Sequence, residues 1–360
     1  MKKIILITLI LLFSFTNISA ENEEEDLLKN FNVLSIASSI GEAIIYFDHY
    51  DPFDTYTISS NIPIYDISQD EKITEREYTY LYVVYRNEDP ILTVYVHGNS
   101  AKISDDFIKQ LKDVDSYNNK VLVFSYGNSA YLYSTEMKTL IDSANESSNV
   151  TSSFDSLLSK AKKSSLEKIL VPFQYLQPPS TNSQTILNYP LVAQNPYPNG
   201  CWAACIASIS NYYKSTSYTS TNVVQACLGN NLTANQVPSL TLTCIQDLLN
   251  TGYHIETAFS NQSTTLSNYK SNLNNNKVYI IAWAATGYGG HVTMLYGYSE
   301  RGNNTSDFYI MDPQYNGSIT SGARKYMLVQ LSSSSFPTNN KIANNITYYY
   351  SNSLLYLYWY

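Results

Sequence analysis

Residues 197–213 read YPNGCWAACIASISNYY, and this run sets the architecture of the second half of the chain. Its prolines and Gly200 predict a turn, after which apolar side chains recur every three or four residues, as on one face of a helix. Asn199 is a plausible N-cap, because its side-chain oxygen can accept a hydrogen bond from the first helical turn. A helix is therefore predicted to begin at Cys201.

Segments rich in Val, Ile and Tyr follow this helix and favour β-strands. The strand candidates of the second half are 278–284, 291–298, 308–311 and 325–331. The first half is also strand-rich, with candidates at 78–85, 91–97, 121–126 and 130–133. The predicted fold class is α+β, with a helix that precedes an antiparallel sheet in the second half.

Cys201 lies at the predicted start of the helix, where unpaired backbone N–H groups and the helix dipole favour a thiolate over a thiol. A thiolate is the reactive form of cysteine, and a nearby imidazolium stabilises it further. Cys201 is therefore a candidate nucleophile.

Only four histidines can serve as its base: His49, His97, His254 and His291. His291 follows two glycines and opens a predicted strand, so its ring would project from a strand end without a bulky neighbour before it. The alternative is a structural histidine within a strand. Asp312 ends the strand candidate at 308–311 and would lie beside His291 if the two strands are adjacent. Its carboxylate would then accept the second imidazole N–H and fix the tautomer, although Asp before Pro is also a common turn residue.

Five short segments together resemble the papain-like cysteine peptidases. They are Gln194, Asn199–Ala204 (NGCWAA), Gly290–Val292 (GHV), Gly297–Tyr298 and Asp312–Pro313. The resemblance covers about residues 187–335 and is strongest to the secreted bacterial branch related to the double-glycine peptidases, staphopain and streptopain. It implies a papain-like domain in which a nucleophile helix packs against an antiparallel sheet.

The resemblance also implies the role of each site residue. Cys201 would be the nucleophile, His291 the general base and acid, and Asp312 the orienting residue. Gln194 would donate to the oxyanion hole together with the Cys201 backbone N–H. The gap between this Gln and the Cys is one residue longer than is usual in the family, so Asn195 or Asn199 are alternatives to Gln194, and many relatives have Asn in place of Asp312.

Four regions are expected along the chain. Residues 1–20 combine two lysines, an apolar run and a small residue at the end, as a secretory signal peptide does. Residues 21–177 are expected to form an α+β propeptide that inhibits the enzyme, residues 178–186 a linker, and residues 187–360 the peptidase domain. A membrane anchor at residues 1–20 is the alternative to a cleaved signal.

Charge separates the two halves. Residues 21–184 carry 13 Lys and Arg against 25 Asp and Glu, whereas residues 185–360 carry 7 against 5. No basic patch interleaved with aromatic residues occurs, so nucleic acid is not an expected partner. The expected partners are a protein or peptide substrate and the chain's own propeptide, with no membrane contact in the mature, secreted form.

Alternatives to a peptidase remain open. The four cysteines, Cys201, Cys205, Cys227 and Cys244, lack the two close pairs of a structural zinc site, so no metal or organic cofactor is implied. If Cys201 stays free, one disulfide is possible, and Cys227 with Cys244 is the expected pair. A cell-wall amidase or a transglutaminase-type acyl transferase would use the same Cys–His chemistry, and a non-catalytic binding protein could keep the same scaffold.

Overall fold

The computed structural model describes part of the 360-residue chain. The described ranges are 36–51, 53–67, 72–97, 100–105, 108, 111–112, 121–126, 129–134, 139–142, 148–149, 168–170, 183–260, 266–285, 289–300, 306–313, 324–330, 341–343 and 346–357. The predicted signal peptide lies outside these residues. Within them, no helix is both long and apolar enough to cross a membrane.

Among the described residues, the first half contains the helix at 36–46 and further helical residues at 108 and 111–112, and the other helices lie in the second half. The helices are α1 (36–46), α2 (Cys201–Lys214), α3 (Ser220–Leu228), α4 (Leu242–Asp247) and α5 (Leu266–Asn274). A short 3₁₀ turn covers Ala234–Gln236, and a π-helical turn, Leu248–Gly252, continues directly from α4.

Strands make up most of the remaining described residues. The strands of the first half are β1 (Tyr56–Ser59), β2 (Ile62–Ile67), β3 (Ile73–Arg86), β4 (Asp89–His97), β5 (Ser100–Ser104), β6 (Val121–Tyr126), β7 (Ser129–Ser134), β8 (Thr139–Asp142), β9 (Ser148–Asn149) and β10 (Lys168–Leu170). Those of the second half are β11 (Ser183–Ile186), β12 (Thr257–Ser260), β13 (Tyr279–Ala285), β14 (Gly289–Glu300), β15 (Ser306–Asp312), β16 (Arg324–Gln330), β17 (Lys341–Ala343) and β18 (Ile346–Leu357).

Hydrogen-bonded pairing joins the two halves into one sheet. In the first half the neighbours run β9–β8–β7–β6–β2–β3–β4–β5, and β5 then pairs with β16. The sheet continues through β15, β14, β13 and β18 to β12. Every described pairing is antiparallel except that of β2 with β6. The mixed helix and antiparallel sheet confirms the predicted α+β class.

The two faces of the sheet differ around β15 in the elements that contact them. Because side chains alternate along a strand, Ile310 and Asp312 lie on one face of β15, and Asp307 and Tyr309 lie on the other. Helix α1 contacts the second of these faces, through hydrogen bonds to both Asp307 and Tyr309. We call this the back face, and the face of Asp312 the site face.

Apolar burial forms two cores. The larger includes α1, the inner side of α2 and the central strands β13–β16. The smaller lies in the first half, between β2, β3 and β6. The larger core therefore crosses from residues expected in the propeptide to residues expected in the peptidase domain.

Two local expectations are wrong. Asn199 does not cap α2; the N-cap is Gly200, and the Asn199 Nδ2 instead donates to the Val237 carbonyl at 3.2 Å. Residues 183–186, assigned to the linker from their polar composition, form strand β11, which pairs with the C-terminal half of β14. Composition misled here because a short edge strand is stabilised by backbone pairing rather than by apolar side chains.

Gly297 allows β11 to approach β14 closely. A Cβ atom at this position would lie 2.9 Å from the Thr185 carbonyl oxygen and 3.1 Å from the Ile186 Cα. Both are backbone atoms, which cannot rotate out of the way. We predict that Gly297→Ala lowers the free energy of unfolding by about 1–3 kcal/mol, as overpacking does. Thermal or urea unfolding measures the effect.

Gly252→Ala is the matched control for this substitution, because nothing lies within 4 Å of the Cβ that it would add. An equal loss of stability in both variants would show that the contact between β11 and β14 is not the cause.

Candidate active site

Three of the predicted site residues meet where α2 begins, on the site face of the sheet. Cys201 is the first residue of α2, His291 lies near the start of β14, and Asp312 is the last residue of β15. Their exposed fractions are 8%, 3% and 3%. The site is thus formed by one helix terminus and two adjacent strands, and all three side chains are shielded from water.

The register of β14 and β15 brings His291 and Asp312 together. Leu295 lies opposite Ile310, and His291 and Asp312 are each an even number of residues from that pair, so both point to the same face. The His291 Nε2 lies 2.7 Å from the Asp312 Oδ1. This contact fixes the ring orientation and leaves Nδ1 as the nitrogen that can face Cys201.

The surroundings of Cys201 favour its thiolate. Burial by itself raises the pKa of the Cys201 thiol, but a hydrogen bond and the positive charge of His291 lower it, as do the backbone N–H groups of Val292 and Trp202. Together, the effects that lower the pKa outweigh the effect of burial, so the pKa of Cys201 lies below its ordinary value. A thiolate is therefore present at a lower pH than in a free cysteine.

The start of α2 leaves its backbone donors available for negative charge. Gly200 is the N-cap, and among the described residues no side chain caps the helix there. The first helical bond runs from the Ala204 N–H to the Gly200 carbonyl, so the N–H groups of Cys201, Trp202 and Ala203 precede the helical ladder. A Cβ at Gly200 would lie 2.8 Å from the Tyr197 Cβ, which explains why glycine occupies the turn.

A second segment is anchored beside this helix terminus. The Trp202 Nε1 donates to the Pro238 carbonyl at 3.0 Å, and the Asn199 Nδ2 donates to the Val237 carbonyl. Trp202 is fully buried. Residues on both sides of Cys201 therefore hold the backbone at 237–238 next to the start of α2.

Gln194 is close to the site, but its side-chain amide is used within the loop. Its Nε2 donates to the Pro198 carbonyl at 2.7 Å and lies 3.4 Å from that of Tyr197. Its Oε1 is buried and has no hydrogen-bond partner among the described residues. The backbone N–H of Gln194 donates to the Pro313 carbonyl at 2.7 Å, which ties this loop to the residue after Asp312.

The two alternatives to Gln194, Asn199 and Asn195, make different hydrogen bonds. The Asn199 side chain donates to the Val237 carbonyl, as described above. The Asn195 backbone carbonyl accepts a hydrogen bond from the Ser220 hydroxyl at 3.1 Å, at the start of α3.

The two histidines of the first half, His49 and His97, have neighbours other than Cys201 and Asp312. The His97 Nδ1 lies 2.7 Å from the Thr79 hydroxyl, across the pairing of β3 with β4. Burial lowers the pKa of His49, and the nearby Arg86 lowers it further.

All four cysteines lie in the described part of the chain and carry free thiols. The expected disulfide between Cys227 and Cys244 is therefore wrong. The Tyr253 side chain is hydrogen-bonded to the Cys227 thiol, and the Thr241 hydroxyl contacts the Cys244 Sγ at 3.2 Å. Among the described residues, no group of three or more His, Cys, Asp or Glu side chains is placed to hold a metal ion.

Sequence reasoning missed Trp283. It lies directly opposite His291 in the pairing of β13 with β14, and its Nε1 donates to the Thr293 hydroxyl at 2.7 Å. Residues opposite each other on one face of antiparallel strands have neighbouring side chains. Trp283 and His291 are equally distant in sequence from residue 287, so reading the two strands as a hairpin would have placed them together.

The depressed pKa of Cys201 gives a testable pH dependence. In the wild type, alkylation of Cys201 by iodoacetamide should persist to a pH below that expected for an ordinary thiol. In His291→Ala only burial and the backbone donors remain, so the alkylation profile should move to higher pH. Peptide mapping by mass spectrometry measures modification at each cysteine, and the exposed Cys244 is the internal reference. Superimposable Cys201 profiles in the two proteins would contradict the assignment.

Comparisons with known proteins bear on this region. The family described as papain-like cysteine protease AvrRpt2 matches residues 182–327, which is about two fifths of the chain. A search among curated proteins finds no match. Among solved structures, UfSP from C. elegans is similar with 16% identity and a TM-score of 0.25. That similarity covers 42% of this chain and 35% of UfSP, so the chain spans about a third of this relative's length. The family match contains Cys201, His291 and Asp312, so the region that carries the site is similar to the papain-like cysteine proteases.

Proposed function

We propose that the chain is a secreted cysteine endopeptidase, made as an inactive precursor, that hydrolyses peptide bonds through Cys201, His291 and Asp312. One observation carries the proposal: His291 is hydrogen-bonded both to the Cys201 thiol and to the Asp312 carboxylate, at a helix N-terminus that favours negative charge. These contacts support the assignment of Cys201 as nucleophile, His291 as base and Asp312 as orienting group.

The first half of the reaction forms a thioester. The Cys201 thiolate attacks the scissile carbonyl carbon, and the electron pair of the C=O bond moves to the oxygen. When the tetrahedral intermediate collapses, the C–N bond breaks and the His291 imidazolium gives its proton to the leaving amine. The products of this step are a free amine and an acyl group on the Cys201 sulfur.

The second half of the reaction uses water. Neutral His291 takes a proton from a water molecule, and the oxygen attacks the thioester carbon. Collapse of this second intermediate breaks the C–S bond, which releases a carboxylic acid and restores the thiolate and the imidazolium. Each half passes through an oxyanion that needs hydrogen-bond donors.

We assign the oxyanion donors to the Cys201 backbone N–H and the Gln194 side chain. The support for Gln194 is its place in the loop that precedes α2 and its backbone bond to Pro313. Its amide nitrogen has two hydrogens, and one of the two contacts within the loop is long, at 3.4 Å. The N–H group in that weaker contact is the one that would donate a hydrogen bond to a substrate oxygen.

Secretion and the precursor form rest on the sequence. Residues 1–20 have the charged start, apolar centre and small final residue of a signal peptide. The acidic first half precedes a nearly neutral second half, and the segment 178–182, PPSTN, has the composition of an exposed linker. Cleavage in this linker is the proposed activating event.

Replacing the nucleophile tests the activity. Purified protein without residues 1–20, in reducing buffer, should cleave an unstructured protein, and Cys201→Ala should abolish that cleavage because no other group supplies the thiolate. Gel electrophoresis and mass spectrometry follow both substrate and chain. Cys244→Ala is the matched control and should keep full activity, since Cys244 is exposed and outside the site.

Failure of the wild type to cut any protein, even after residues 178–182 are cleaved, would overturn the peptidase proposal. Transfer of an acyl group to an added amine without hydrolysis would favour the acyl-transferase alternative, because both reactions share the thioester.

Two substitutions of Asp312 separate its charge from its hydrogen bond. Asp312→Ala removes the acceptor for the His291 Nε2–H, so kcat should fall by roughly 10²-fold, the scale of a general acid–base contribution. Asp312→Asn keeps an oxygen that can accept the same hydrogen and should lose less. Equal losses in both variants would show that the charge, rather than the orientation of the ring, is what matters.

A further inference from the structure

Helix α1 contributes polar groups to the back face of the catalytic sheet. The Ser39 hydroxyl donates to the Asp307 Oδ1 at 2.7 Å, and Asp307 is completely buried. The Glu42 Oε1 accepts from the Tyr309 hydroxyl at 3.1 Å and from the Gln184 Nε2 at 3.0 Å. Buried polar groups are costly to leave without partners, so these contacts oppose separation of α1 from the sheet.

The end of α1 adds a second set of contacts to the same face. The Lys325 Nζ donates to the Tyr46 carbonyl at 2.8 Å and lies 4.5 Å from the centre of the Tyr46 ring. The Tyr46 and Tyr296 hydroxyls are hydrogen-bonded, and the Tyr46 ring meets the Tyr309 ring edge to face at 4.9 Å. A cation–π contact and an aromatic pair thus reinforce the polar ones.

Apolar side chains of α1 fill the space between these polar contacts. Ile36, Ile40, Ala43 and Ile44 are at most 1% exposed and belong to the same core as the central strands of the catalytic sheet. Without α1, that apolar surface of the sheet would meet water. An interface of this kind resembles a domain core rather than a surface made for release.

Strand β5 provides a separate attachment. It pairs with β16 over four residues, from Ile103 opposite Met327 to Ser100 opposite Gln330. The Lys102 Nζ lies 4.9 Å from the centre of the Tyr326 ring, and Lys102 is buried. Removal of the first half would expose the unpaired edge of β16, which is prone to association with other strands.

From these contacts we infer that the first half, held by α1 and β5, stays bound to the peptidase region after the linker is cut, so that the mature enzyme has two chains. The inference deepens the proposed precursor function and rests on it for the cleavage event. The first half would then not dissociate as a propeptide does, but would remain as a permanent non-covalent partner. The partner surface consists of the back face and the edge of β16, and neither is the face that carries His291 and Asp312.

Co-elution of the two fragments tests this inference without any need for activity. In Cys201→Ala, residues 178–182 are replaced by the recognition sequence of a site-specific protease, placed upstream of Ser183 because β11 is paired with β14. After cutting, both fragments should elute from a sizing column in one peak at the position of the uncut protein and should separate only in denaturant. Two separate folded peaks in native buffer would overturn the inference.

Two substitutions on α1 assign the attachment to the back face. Ile40 is 1% exposed and Ile45 is 38% exposed, on the same helix. Ile40→Glu should make the cut fragments elute separately, whereas Ile45→Glu should leave them together. If both variants keep the fragments together, α1 is not the attachment and the inference is wrong in this respect.

A milder substitution at the same position keeps the test informative if Ile40→Glu fails to fold. Ile40→Ala should raise the dissociation constant of the cut fragments at least about tenfold, because it removes buried apolar contacts without adding charge. An unchanged dissociation constant in a folded Ile40→Ala protein would contradict the inference. Absence of peptidase activity in the protein that retains Cys201, together with co-elution of the cut fragments, would contradict only the proposed function, so the two failures are distinguishable.

Discussion

The register of β14 against β15 is the constraint from which the rest of the site follows. It places His291 and Asp312 on one face, at a distance of 2.7 Å, with the ring oriented towards the start of α2. A shift by one residue would move one of the two side chains to the opposite face and break the contact. Buried apolar residues on both faces of these strands specify the register, so the geometry of the chemistry depends on ordinary core packing.

Hydrogen bonds to backbone carbonyls connect the parts of the site. Gln194 is joined to Pro313 through its N–H, and Trp202 holds the segment at 237–238 beside the helix terminus. The thiolate at Cys201 is stabilised against the cost of burial by an imidazole and by backbone donors. Because the backbone donors belong to α2 and β14, they would need little reorganisation if negative charge developed beside them in the proposed reaction.

On the back face, the sheet that carries the site contacts the first half of the chain. The Ser39 hydroxyl reaches the buried Asp307, and β5 extends the sheet beyond β16. The first contact lies on the face that does not carry the site, and the second lies at the edge of β16. The first half can therefore stabilise the sheet without occupying the face that carries Cys201, His291 and Asp312, which would separate support of the fold from control of the proposed activity.

The sequence by itself determined the elements that local patterns encode: the helix that begins at Cys201, the strands around His291 and Asp312, and the α+β class. It also supplied the chemical types of the site residues, because reactive groups and their neighbours can be read directly. Only the tertiary structure decided that Asn199 bonds Val237 rather than capping the helix, that residues 183–186 form a strand and that Cys227 and Cys244 are not paired. It alone placed Trp283 beside His291 and α1 on the back face. These outcomes depend on partners distant in sequence, and no local periodicity encodes which distant partner a side chain or strand edge will meet.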